Sequence, residues 1–173
     1  KEEWMDIQEE KPILNEKYIF CYFLGNNIEH RKFVERLKEK TGYKIVSINH
    51  CDEYVKYSDQ FADIIPYDVG PSEFVNYIRN AEYVCTDSFH GTVFSLINNT
   101  KFFTFERFNK KSKMSTNSRV HSLLEIVDLK NRLISGNENV EELMKQKIDF
   151  NKVNKKLENF RNESKEWLLK SIK

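Results

Sequence analysis

The sequence predicts an α/β domain: a parallel sheet with helices on both faces. Three observations carry this expectation. Short apolar runs recur along the chain, as "YIFCYFL", "YKIVSIN", "YVCTD" and "KFFTFE". These runs are continuous rather than alternating, as strands buried on both faces require. Between them lie segments whose apolar residues return every three or four positions, the helical period. Strands alternating with helices close into a parallel sheet, so the expected core is a Rossmann-like domain.

The elements follow in order. "KEEWMDIQEEKPILNEK" (1–17) is polar, contains Pro12, and reads as a linker or the tail of an upstream domain. "YIFCYFL" (18–24) is the first strand, ending at Gly25. "NIEHRKFVERLKEKTG" then sets Phe33, Val34 and Leu37 on one helical face, with Gly42 as the stop. "YKIVSIN" (43–49) is the second strand. "ADIIPYD" (62–68) is a short third strand, which Pro66 assigns to a sheet edge because proline has no N–H for the ladder. "GPSEFVNYIRNA" opens a helix with Pro71 in its first turn. "YVCTD" (83–87) is the fourth strand, "HGTVFSLINN" a helix, and "KFFTFE" the fifth strand. Beyond a basic loop, "NSRVHSLLEIVDL" places Val120, Leu123, Leu124 and Val127 at helical spacing. The Rossmann-like domain thus spans 18–135. Residues 136–173 form a helical extension expected to pack on it, with Val153, Leu157, Phe160, Trp167 and Leu168 along one stripe of a long amphipathic helix that lies on the domain or reaches beyond it.

Composition narrows the function. A chain of 173 residues makes one domain of ordinary size, and at that length roughly 70% of the unfolded surface is buried without staples. Charged residues make up 32%, hydrophobic ones 39%, and the net charge is +1. That balance offers no chain-wide attraction to nucleic acid or to a membrane surface. The three cysteines, Cys21, Cys51 and Cys85, contain no C-x-x-C pair and support neither a disulfide framework nor a zinc site. Cys21 and Cys85 sit in apolar runs and read as small buried hydrophobes. No stretch approaches the ~18 apolar residues of a membrane span, and the first residues do not resemble a signal peptide. The expected location is the cytoplasm, or the inner face of the membrane as a peripheral protein. There the sequons at Asn98 and Asn162 go unused.

One stretch resists a packing explanation. "DSFHG" places Asp87, Ser88, Phe89, His90 and Gly91 where a buried strand hands over to a buried helix. Open parallel sheets bind ligands beyond the carboxyl ends of their strands, where strand order reverses. With the order 3-2-1-4-5, that switch lies between the first and fourth strands. Their carboxyl ends carry "LGNN" (24–27) and "TDSFHG" (86–91), loops rich in Gly, Asn, Asp, Ser and His. A helix starting near His90, capped by Asp87 or Ser88, offers free N–H groups and a positive dipole end to a phosphate or carboxylate. Gly91 would let the backbone approach that anion. His90 can add a charged hydrogen bond or move a proton near neutral pH. The same residues also permit a plainer reading, in which Asp87 or Ser88 only caps the helix and His90 is a satisfied buried histidine.

Other motifs are missing. The five glycines, at 25, 42, 70, 91 and 136, form neither a G-x-G-x-x-G nor a P-loop, and there is no G-x-S-x-G elbow. His30, His50 and His121 show no metal-ligand spacing, which suggests surface or capping roles; no metal and no cofactor are expected. A basic cluster, "ERFNKKSKMSTNSR" (106–119), follows the fifth strand and opens on the same face of the sheet. Its lysines Lys110, Lys111 and Lys113 suit a solvated loop. Arg107, just after a strand, and Arg119, at a helix start, suit a fixed role, since a guanidinium can clamp a carboxylate or phosphate.

"YVCTDSFHGTVFSLINNTKFFTFER" followed by "NSRVHSLLEIVDLKNRLI" resembles the polysaccharide pyruvyl transferase family, and "YIFCYFLGNN" resembles the strand that opens its second half. The likeness covers roughly residues 18–134. It implies one half of a GT-B-like, two-domain enzyme that moves a pyruvyl group from phosphoenolpyruvate to a sugar of a cell-surface glycan, as a ketal. The implied partners are that donor, a free or lipid-linked sugar acceptor, and an amino-terminal half that this chain lacks, so the chain alone is expected to be inactive. The resemblance makes His90 the donor-site histidine and catalytic candidate. Around it the expected donor-binding set is Asp87, Ser88, Phe89, Gly91, Gly25, Asn26, Arg107 and Arg119. Members of the family tend to carry an arginine two residues before that histidine; here Ser88 stands there. Two other readings remain open: a GT-B glycosyltransferase using a nucleotide-sugar, and a non-catalytic interaction module of the same fold. An exposed His90 without a hydrogen bond, or a filled switch-point crevice, would mark the module.

Overall fold

The computed structural model describes Trp4 and residues 11–48, 54–107 and 117–172. Five strands form one parallel sheet: β1 (Tyr18–Tyr22), β2 (Lys44–Ile48), β3 (Tyr83–Thr86), β4 (Phe102–Phe105) and β5 (Leu133–Ile134), in the order β2-β1-β3-β4-β5. The apolar runs are continuous because both faces are covered. Ile19, Cys21, Cys85, Phe103 and Phe105 feed one core, while Tyr18, Phe20, Val84 and Phe102 feed the other. This is the period-two alternation of a strand, made invisible in sequence by burial of both sides.

On the first face lie α1 (Ile28–Thr41), which buries Phe33, Val34 and Leu37, and α6 (Val140–Lys145), which buries Val140 and Leu143. The second face is covered by α3 (Pro71–Asn80), α4 (Phe89–Asn98), α5 (Asn117–Ile126) and the first turns of α7 (Phe150–Ser171). Gly42 ends α1 in the left-handed conformation at φ 71°, and Pro71 opens α3. The four-residue α2 (Ser58–Phe61) and the six-residue α6 were not foreseen from the sequence. Neither is long enough to display a helical repeat.

Four features qualify or add to these expectations. The third strand over 62–68 is reduced to a single bridge, Val46 to Ile64, outside β2. There the Asp63 carboxylate accepts from Ile45 N at 2.7 Å, taking an edge donor that a true strand would use. The opposite edge gains β5, whose two residues are too few to register as a run. Described residues before β1 meet the domain: Ile13 N donates to Asn76 Oδ1, Asn76 Nδ2 donates to the Lys11 carbonyl, and Trp4 meets Phe94 edge-on at 4.8 Å. The long helix does not lie down along its stripe. Only Val153 is buried, with Leu157 partly so, and Phe160, Trp167, Leu168 and Ile172 are exposed. No helix among the described residues is long and apolar enough to cross a membrane. Cys21 and Cys85 are buried free thiols, and Cys51 lies outside the described residues.

Candidate functional site

Strand order reverses between β1 and β3, which are hydrogen-bonded neighbours with Tyr22 opposite Thr86. The Thr86 hydroxyl donates to the Tyr22 carbonyl at 2.6 Å and accepts from Ser88 N at 3.0 Å, so the turn out of β3 is held to the end of β1. Asp87 comes next. Its carboxylate accepts from Leu24 N at 2.6 Å and from Gly25 N at 2.8 Å, which ties the two switch-point loops together. Burial pushes the Asp87 carboxyl upward, while those two bonds and the charges of Arg107 and Arg31 pull the other way.

The opposite side of the 24–27 loop is held by Arg31, which the sequence reading missed. This residue is buried, and its guanidinium donates to the Gly25 and Asn27 carbonyls at 3.1–3.2 Å and over the Phe23 ring at 5.2 Å. Its Nε donates to Ser58 Oγ at 3.1 Å. The loop is therefore clamped by a carboxylate on its N–H groups and by a guanidinium on its carbonyls. A signal for this existed: Arg31 sits three residues before Val34 on the buried helical face.

Two glycines prove to be packing requirements. A β-carbon on Gly25 would lie 2.8 Å from Asp87 Oδ2 and 3.4 Å from Arg107 Cγ. On Gly91 it would lie 2.6 Å from the Thr86 hydroxyl. Gly91 is thus needed for helix α4 to close onto β3, a packing role that the sequence did not suggest. Gly91→Ala should cost about 1–3 kcal/mol through overpacking, read from urea unfolding. Adding Thr86→Ala should recover part of that loss. A Gly91→Ala variant of unchanged stability that loses anion binding would restore the original reading.

Ser88, not Asp87, is the cap of α4. Its Oγ accepts from Gly91 N, and its carbonyl takes the Thr92 N–H and hydroxyl. That leaves the Phe89 and His90 N–H groups as first-turn donors without a partner among the described residues. Beside them opens a cleft of about 160 Å³ lined by Leu24, Asp87, Ser88, Phe89, His90, Arg107, Asn117, Arg119 and Val120. Arg119 lies over the Phe89 ring at 5.2 Å, which fixes its guanidinium at the rim. Of the expected set, the structure therefore gathers Asp87, Ser88, Phe89, His90, Arg107 and Arg119. Gly25 stands behind Asp87 and Asn26 is exposed; neither lines the cleft. Lys110, Lys111, Lys113 and His50 fall outside the described residues. His90 is exposed rather than a buried core histidine. It makes no hydrogen bond among the described residues, as the interaction-module reading expects, but the crevice beside it is open, which that reading does not expect.

The sequence profile of polysaccharide pyruvyl transferases matches residues 2–107. The chain belongs to the polysaccharide pyruvyl transferase family. Neither a curated protein nor a solved structure matches it. In this family member the match runs from ahead of β1 through Arg107, covering β1 to β4 and both switch-point loops. Where other family members are expected to carry an arginine, Ser88 is 2% exposed and spends its hydroxyl on the helix cap. Positive charge reaches the cleft from Arg107 and Arg119 instead.

A second and larger cavity, about 770 Å³, opens at the same end of the sheet and shares Arg107 with the cleft. Its walls include Asn27 and Glu106, from the two loops the sequence had placed at this face, and His30, His121 and Glu138, which it had not marked for a site. Of these, His30 departs furthest from its expected surface role: it is 2% exposed and stacked on Phe105 at 4.5 Å.

Proposed function

We propose that this domain carries the donor site of a pyruvyl transferase, with phosphoenolpyruvate in the cleft at the start of α4. The observation that supports it is the convergence of two free helix N–H groups, His90, Arg107 and Arg119 on one small cleft. A phosphate on the helix start and a carboxylate against a guanidinium are the interactions these groups favour. The size also supports a small donor. Sites for drug-sized ligands run to about 300–1,000 Å³, so a cleft of about 160 Å³ suits a small donor better than a nucleotide-sugar.

In the reaction, protonation of the methylene carbon of phosphoenolpyruvate makes the adjacent carbon electrophilic. One sugar hydroxyl adds there, the C–O bond to phosphate breaks, and a second hydroxyl closes the ketal. Of the two hydroxyl protons, one is balanced by the new methyl group and the other leaves with phosphate. His90, at the mouth of the cleft, is the group we assign to the first transfer. On this reading, turnover also needs the second half-domain that the family resemblance implies.

An NMR titration of this chain with phosphoenolpyruvate, UDP and inorganic phosphate tests the proposal. The largest shifts should come from phosphoenolpyruvate, at residues 87–91 and Arg119. His90→Ala should abolish them while changing stability by no more than about 0.5 kcal/mol, the usual range for an exposed residue. Tighter binding of UDP would turn the site over to a nucleotide-sugar. Silence at 87–91 from all three would leave the module reading in its place.

A further inference from the structure

We infer that the larger cavity is a second ligand site, for a neutral polyhydroxyl compound: the sugar acceptor, bound by this domain itself. The inference rests on the donor assignment above for the name of the ligand, but not for the existence of the site. Three features carry it.

The first is placement. The cavity is built from the carboxyl ends of β4 and β5 and the start of α1, on the same edge of the sheet as the cleft. Arg107 lines both. A ligand in one cavity is therefore one side chain away from a ligand in the other, as a donor and an acceptor must be.

The second is the chemistry of the walls. Glu106, Glu138, Arg107 and Lys130 all line it, with His121, Asn27 and Ser135 among them and Leu133 and Ile134 as apolar surface. Formal charges balance, so the lining does not select an anion such as a nucleotide diphosphate. It offers both donors and acceptors beside an apolar patch, matching a sugar ring with hydroxyls around its edge and C–H groups on its face. His121 Nε2 donates to Glu106 Oε1 at 2.8 Å, which leaves His121 Nδ1 and the second Glu106 oxygen as acceptors for sugar hydroxyls. Among the described residues no three His, Cys, Asp or Glu side chains are grouped to hold a metal.

The third is that the walls are preset. Asn27 Oδ1 accepts from Glu29 N as the cap of α1, which turns Asn27 Nδ2 toward His30 Nε2 at 3.1 Å. His30 must accept there, so its proton sits on Nδ1, which is buried and has no partner. Glu138 accepts from Ser135 N and Gly136 N at 2.7 and 2.8 Å. Gly136, at φ 98°, lets that turn press on the Glu29 backbone, where a β-carbon would lie 2.8 Å from the Glu29 carbonyl. A cavity with fixed polar groups suits ligand recognition better than a surface dimple.

The test is an NMR titration of this chain with the methyl glycosides of glucose, galactose and mannose, each alone and with phosphoenolpyruvate present. At least one glycoside should shift residues 27–30, 106–107 and 135–138. His121→Ala should weaken that glycoside at least fivefold while leaving the phosphoenolpyruvate shifts at 87–91 in place. Phosphoenolpyruvate binding without any glycoside response at these three segments overturns the inference and leaves the donor reading standing. Glycoside binding in the cavity with no response to phosphoenolpyruvate supports the inference and removes the donor reading. UDP filling the cavity in competition with the glycosides also overturns it.

Discussion

Replacing Asp87 with alanine should remove about 3–5 kcal/mol of stability and, with it, binding at the α4 start. Two half-buried backbone donors, Leu24 N and Gly25 N, lose their acceptor, the buried Asp87 carboxylate, and an unmet buried donor costs up to about 1–3 kcal/mol. Arg31, itself buried, also loses a carboxylate charge that offsets its desolvation. Asp87→Asn sharpens the test. Its shape is conserved, yet Leu24 N and Gly25 N each use a separate carboxylate oxygen, and in the same placement the NH₂ would face one of these N–H groups. The asparagine variant should therefore lie well below the wild type in urea midpoint, with the Leu24 and Gly25 amide signals displaced. Stability within about 0.5 kcal/mol of the wild type would show that the clamp contributes nothing. Since the clamp sets the wall behind the cleft, anion binding should weaken even in variants that stay folded.

His30 should make the domain acid-sensitive in a narrow window. Burial, reinforced by the Arg31 charge, lowers its pKa to about 4 from 6.5, against the weaker opposing pull of Glu138 and Glu29. Between those two values the unfolded chain holds a proton on His30 that the folded chain does not. Unfolding then takes up a proton, so stability is complete above pH 6.5 and declines as pH falls toward 4. At about 1.4 kcal/mol per pH unit the full loss is about 3 kcal/mol. His30→Phe keeps a ring on Phe105 and removes the titration. The difference in urea stability between wild type and His30→Phe should thus change by about 3 kcal/mol from pH 7 to pH 4. Asp87 runs the other way, its raised pKa weakening the fold as pH rises through it; being common to both proteins, it cancels in that difference. A flat difference would mean that His30 is solvated.

Much of the fold was legible because local chemistry and burial agree along this chain. "YIFCYFL", "YVCTD" and "KFFTFE" could only be strands covered on both sides, and β1, β3 and β4 run through them. The handover at "DSFHG" was legible because polar residues between two apolar runs mark where a strand ends and a capped helix begins. Ser88, His90, Arg107 and Arg119 do meet at one cleft. What failed shared a cause: features whose meaning depends on a distant partner. Gly91 was read only as room for an anion, and its need for space beside Thr86 was missed. "ADIIPYD" was read as a strand, yet the Asp63 side chain occupies the edge it would have joined. The aromatic stripe of α7 was read as packing, yet the domain ends before the stripe does.

By itself, then, the sequence determined the class of fold, the position of the switch point and the kind of charge gathered there, since all three follow from period, burial and residue type along a short stretch. Only the tertiary structure decided which of two candidates caps α4, that Arg31 is a buried clamp, and that Arg107 stands between two cavities. Each of those depends on groups that the chain brings together from far apart, Leu24 with Asp87 and Glu106 with His121. No local pattern encodes such meetings, because the packing of the whole sheet selects them.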